Sequence, residues 1–306
     1  MQYNDKQLEI IFNKYISFVD NLDFNYEAKI NNLLYLIIPA FVIKYGLEYE
    51  KVILNTFKNV PILIKDTGNK NIPASYVCIP SYKNNELILT KGVIINDYKD
   101  SHLVGLLDSL VHEYNHALNS YLNPFKFDEN SIYIRTGLSN IVFAKNSLKM
   151  LKKEDAYILE EVLNTNQTEE IINIIHDFKK YTFLDNKINT ALYILDNHID
   201  TSFKSESYFL ENFLTKEILK NRTFISTLSK LRIKGDIEDI EYWFNNITGI
   251  DNSYNKLIEY LLKANELTKK KNKTIFGKNK TMNKLKELYK NILEIINTFN
   301  NNCNFK

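Results

Sequence analysis

Apolar positions in residues 1 to about 58 recur every three or four places, as in Leu8, Ile11, Phe12, Tyr15, Ile16 and Val19. At about 100° per residue these fall on one side of a helix, so the first stretch is expected to form amphipathic helices. From Val60 the period changes. Pro61 to Lys65, Ala74 to Ile79, Glu86 to Thr90 and Val93 to Ile95 are short β-prone runs, separated by Thr67-Gly68-Asn69, Pro80-Ser81 and Asn84-Asn85. Those separators are turn chemistry, so a small sheet over residues 60–95 is expected.

The helical period then returns. Asp100 or Ser101 can cap a helix whose apolar stripe runs through Leu103, Leu106, Leu107, Leu110, Val111, Tyr114, Ala117, Leu118 and Tyr121. It is expected to stop at Asn123, because Pro124 cannot continue it. His112 and His116 fall on the side opposite the stripe, with Gly105, Ser109 and Asn119. From about Ser147 to the end nearly everything reads as helix, with breaks at Asn221-Arg222, Lys234-Gly235-Asp236 and Asn279. The expected fold class is α+β, predominantly helical. Residues 1–185 would hold the sheet, a helix over 101–122 and another over about 153–166; residues 186–306 would form an all-helical C-terminal region.

Composition narrows the function classes. A chain of 306 residues with 44% hydrophobic and 25% charged side chains has the material for a substantial core. Its 39 basic and 37 acidic residues leave a formal charge of +2, so no large field draws it to nucleic acid or anionic lipid. Lys269, Lys270, Lys271, Lys273, Lys278 and Lys280 form a basic run, but only Phe276 interrupts it as an aromatic. It reads as a solvated interhelical loop, and no nucleic-acid partner is expected.

Cys78 and Cys303 are too few for a disulfide framework. The N-terminus lacks the basic, apolar and small-residue segments of a secretory signal. The most apolar run, Leu33 to Ile43, is interrupted by Pro39 and ended by Lys44. It falls short of the roughly 18–20 residues of a membrane span and reads as a core element, so the cytoplasm is the expected compartment.

Candidate chemistry sits on the predicted helix at 101–122. His112-Glu113-Tyr114-Asn115-His116 matches the H-E-x-x-H pattern. Residues four apart sit one turn above each other, so two imidazoles can aim at one zinc ion, with Glu113 beside the water at the open coordination place. An extended motif with a third histidine is excluded, since Asn119 and Leu122 stand where Gly and His would be required. The third ligand must come from elsewhere, and the stretch Ala156 to Glu170 offers two adjacent carboxylates at helical spacing, Glu160 and Glu161.

His112-Glu113-Tyr114-Asn115-His116 together with Glu161-Val162-Leu163-Asn164-Thr165 resembles the thermolysin-like gluzincins, a superfamily of zinc metallopeptidases. There the downstream glutamate is followed by two apolar or small residues and then two polar ones. Glu160 stands in place of the usual preceding Asn, and the resemblance is confined to these two helices. It implies a zincin-like catalytic unit with Zn²⁺ held by His112, His116 and Glu161; taking Glu160 as the ligand puts a bulky apolar residue where the family has a polar one. It further implies that Glu113 acts as general base on a zinc-bound water to hydrolyse a peptide or protein substrate, with Asn164 or Thr165 holding the other nitrogen of a ligand histidine.

An oxyanion donor is also needed. Tyr157, one turn before Glu161, is the first candidate, with Tyr133, His176 and His198 as others. The run Glu86 to Thr90 is a candidate sheet edge for an extended peptide. The competing function is a non-catalytic binding or regulatory protein on the same scaffold.

Overall fold

Asn4 opens the first helix with a capping box: its side chain accepts the Gln7 N–H while the Gln7 side chain accepts its own. The structure, a computed structural model, describes residues 3–24, 26–67, 74–96, 105–153, 156–198, 212–235, 240–273 and 278–303. Three helices come first, α1 (Asp5–Asp20), α2 (Ala28–Tyr45) and α3 (Glu50–Asn59). Leu33, Leu34, Leu36, Ile37, Ile38, Ala40, Phe41 and Val42 on α2 are fully buried, so the most apolar run is a core helix that continues through Pro39. Among the described residues no single helix is long and apolar enough to cross a membrane.

Strands β1 (Ile62–Lys65), β2 (Ala74–Lys83) and β3 (Glu86–Asn96) form a sheet in the order β1-β3-β2. β1 runs parallel to β3, and β2 pairs antiparallel with β3 from Ala74↔Ile95 to Lys83↔Glu86. The two-residue turn between them, Asn84-Asn85, has both φ angles positive (51° and 65°), a conformation that asparagine tolerates. Pro80 does not break β2 as expected. The Val93 N–H donates to the Pro61 carbonyl and the Tyr76 N–H donates to Glu113, so Tyr76↔Val93 is a non-hydrogen-bonded pair. Alternate residues Tyr76, Cys78 and Pro80 therefore turn their backbone groups to the free edge, where proline's missing N–H costs no ladder bond. The edge that reaches Glu113 belongs to β2. Glu86–Thr90 pairs with β2 alone, because β1 meets β3 only at Val93–Asn96, so among the described strands its other side is a sheet edge, as expected.

Helix α4 (Leu106–Asn119) ends earlier than the expected 122. The Arg135 guanidinium takes up the Leu122 and Asn123 carbonyls instead, and Asn123 adopts a left-handed φ of 47°. The expected start at Asp100 or Ser101, with Leu103, lies outside the described residues. A second sheet follows that the chain pattern did not predict. It is a meander of β4 (Phe125–Phe127), β5 (Ser131–Thr136), β6 (Ser139–Ala144) and β7 (Met150–Lys153) in that order. Helix at Ser147 onward is therefore corrected: it begins with α5 (Tyr157–Asp177), which runs well past the expected 166.

The remainder is α6 (Asn186–His198), α7 (Asn212–Leu219), α8 (Arg222–Lys234), α9 (Ile240–Thr248), α10 (Ser253–Lys273) and α11 (Lys278–Cys303). Side chains of the lysine run from Lys270 to Lys280 lie outside the described residues. The chain is thus mostly helical with small sheets.

Two compact units divide it: residues 1–118 with 167–204, and 119–166 with 205–306. The division passes within α4 and within α5, so each of those helices contributes to both. In the first unit α2 packs on α1, α3 and α6. In the second, Phe224, Phe244, Leu257, Ile292 and Phe299 centre a core to which Ile158, Val162 and Leu163 of α5 also belong. Phe244 stacks on Phe299 with centroids 4.9 Å apart, and Phe224 meets both rings edge-on. Phe244→Ala is expected to cost about 3–5 kcal/mol in urea unfolding, whereas Tyr242→Ala, at a neighbouring exposed ring, should change stability by no more than about 0.5 kcal/mol.

Candidate functional site

The rotation of α4 is set by Tyr114. Its ring stacks on Phe57 at 4.2 Å and its hydroxyl donates to the Val60 carbonyl at 2.9 Å. Burial pushes its ionisation well above the ordinary tyrosine range, so it stays a neutral donor. The expected apolar stripe is buried from Leu106 to Leu118, while Tyr121 beyond the helix is half-buried. The opposite side of α4 is not simply exposed: Ser109, Glu113, Asn115, His116 and Asn119 are buried too, and only Asp108 and His112 are half-buried. A helix carrying that many polar side chains out of water must give each of them a partner or a task.

Asn115 is fully buried and has its partner. Its Nδ2 donates to Gln167 Oε1 of α5 at 3.2 Å, and the Tyr45 hydroxyl of α2 bonds both side chains. This triad joins three helices within the first unit, and the Lys44–Glu170 ion pair ties α2 to α5 again. Glu113 is held by the Tyr76 N–H from the free edge of β2, at 2.5 Å. One carboxylate oxygen is thus anchored to a rigid backbone donor.

His112 and His116 lie with ring centroids 4.9 Å apart and planes at 79°. Glu161 of α5 completes a set in which one ligand atom from each residue lies within 4.8 Å of the others, the one such group of three among the described residues. Three donors around a tetrahedral zinc at about 2.0–2.1 Å are roughly 3.4 Å apart, against the 4.8 Å within which these three lie. Two imidazoles and a carboxylate are also a donor set suited to zinc and other borderline divalent ions. The residues present therefore fit a metal.

Glu160 is employed differently. It is buried, accepting the Leu138 N–H at 2.9 Å and the Arg232 Nε–H at 2.7 Å, with a second bond from Arg232 Nη2. Arg232 is itself fully buried and also donates to Asn164 Oδ1 at 2.6 Å. So Asn164, expected beside a ligand histidine, is bonded to Arg232. Sequence reasoning missed Arg232 because a lone arginine on a helix carries no sign of burial. The Tyr157 ring packs against the second unit's core, and its hydroxyl accepts from Asn265 Nδ2 at 3.3 Å. The Tyr133 hydroxyl donates to Asp128 at 2.7 Å. His176, whose imidazolium is disfavoured by burial and then by Lys179, is fifteen residues beyond Glu161 on α5, about 22 Å along the axis, too far to share its site. The His198 side chain lies outside the described residues.

The two adjacent carboxylates should separate cleanly in metal-free protein. Glu160→Ala leaves Arg232 buried without its counter-charge and is expected to cost about 3–5 kcal/mol in urea unfolding; Glu161→Ala should cost about 1 kcal/mol or less. No family model, no curated protein and no solved structure matches this chain.

Proposed function

We propose that this chain is a zinc-dependent metallopeptidase of the gluzincin type, with His112, His116 and Glu161 as the metal ligands and Glu113 as the general base. The observation that carries the reading is the meeting of those three ligand side chains, two a turn apart on α4 and one from α5. It is supported by Glu113, which follows the first ligand and is fixed from β2. When bound there, zinc would polarise the scissile carbonyl and make water more acidic.

The rest falls to the chain's own groups. Glu113 takes the proton from the attacking water and passes it to the leaving amine, so no covalent enzyme intermediate forms. The outward backbone groups of Cys78, next in line after Tyr76 on the edge of β2, offer an extended peptide a donor and an acceptor for strand addition. That arrangement would lay the substrate's backbone beside Glu113. Its consequence is a preference for unfolded or extended segments.

The reading predicts about one zinc per chain in purified protein, lost on Glu161→Ala. Glu113→Gln should retain zinc while hydrolysis of a dye-labelled casein falls by about 10²–10⁴-fold. Parental activity in Glu113→Gln would refute the mechanism and leave a binding role on a zincin-like scaffold as the better account.

A further inference from the structure

Glu161 must be held against α4, yet its own side chain is half-buried and its neighbours on α5 are mostly apolar. What fixes the start of α5 is the carboxylate next door. Glu160 sits on Arg232 and on the Leu138 N–H, and Asn164, one turn later, sits on the same guanidinium. Gly137 makes the approach possible: a Cβ there would lie 2.0 Å from Glu160 Oε2.

The same network reaches the end of the histidine helix. Arg135, also buried, donates to the carbonyls of Arg232 at 3.0 Å, Gly137 at 3.1 Å and Asn123 at 3.3 Å, and to that of Leu122. The Gly137 N–H donates to Ser120 Oγ at 3.0 Å. So the residues that follow His116 and the residues that flank Glu161 are tied to one buried pair of guanidiniums, within a single compact unit. Nothing in the chemistry of hydrolysis requires two arginines there, and a purely apolar contact would stabilise a fold as well. A planar fork fixing a carboxylate and an amide at once supplies direction, which apolar packing does not.

We propose that Arg232, acting through Glu160 and Asn164, is a positioning residue for the metal ligand Glu161, with Arg135 fixing the exit of the histidine helix in the same network. This rests on the metal-site reading above. It assigns the C-terminal helices a part in metal binding, since Arg232 lies on α8.

The test compares Zn²⁺ affinity, by competition with a chelating dye, in the parent, in Arg232→Lys and in Glu160→Met/Arg232→Met. The double variant removes both charges together, so no buried ion is left unpaired and the chain can fold. Arg232→Lys keeps the charge but loses the fork, and serves if the double variant does not fold. Thermal melts of the metal-free proteins identify the folded variants. Folded variants are expected to bind Zn²⁺ about tenfold or more weakly than the parent, the scale seen when groups that orient metal ligands are removed. A folded variant that binds within twofold of the parent would overturn the proposal. If the parent itself binds no zinc, it is the metal site that fails, and the two failures are distinct.

Discussion

Adjacent residues on an α-helix point about 100° apart, and on α5 that one angle separates two carboxylates with opposite surroundings. Glu160 is buried against a fully buried arginine, which pairs its charge, and accepts a hydrogen bond from a main-chain N–H. Glu161 is left half-buried, with a carboxylate oxygen within 4.8 Å of a ring nitrogen of each histidine. If α5 rotated by a single residue, either Glu160 would take the place of Glu161 and leave Leu159 facing Arg232, or Glu161 would take the place of Glu160 and leave Val162 facing the histidines. The buried ion pair therefore does more than contribute stability, for which a buried pair is weak support in any case. It disfavours the rotation that brings Glu160 to the histidines, because a guanidinium left inside the core without its carboxylate is the costlier outcome.

Helix α4 is constrained in the same spirit from the other side. Tyr114 fixes its apolar side against Phe57 and Val60, Asn115 joins it to Tyr45 and Gln167, and Glu113 meets the edge of β2. These contacts come from residues inside the five-residue run His112 to His116. Every position in that run is thus either a candidate ligand or base, or part of what holds the run in place. Such a concentration of buried polar groups on one helix costs stability unless each is satisfied, and sites that carry chemistry are where proteins tolerate that cost.

Much of this was legible in the chain. The change of period at Val60 marked the first sheet, and the stripe from Leu106 to Leu118 marked the side of α4 that packs inward. The pairing of the two histidines followed from helical pitch alone. The second sheet was not legible: Phe125–Phe127 and Met150–Lys153 are three and four residues long, too short to establish a period against the lysines among them. The early stop of α4 depends on Arg135, whose grip on Leu122 and Asn123 is tertiary and leaves no local signal. The placing of β3 between β1 and β2 depends on a parallel pairing that no turn encodes. Glu160 and Glu161 differ only in what faces them, and Arg232 lies far along the chain.

The central claim is that two imidazoles and one carboxylate converge on a single ion. X-ray absorption at the zinc edge of zinc-loaded protein tests it most directly. The account predicts nitrogen and oxygen donors at about 2.0–2.1 Å in a four-coordinate shell, with the outer scattering of two histidine rings. A spectrum without histidine scattering, or a shell of water oxygens alone, would contradict it.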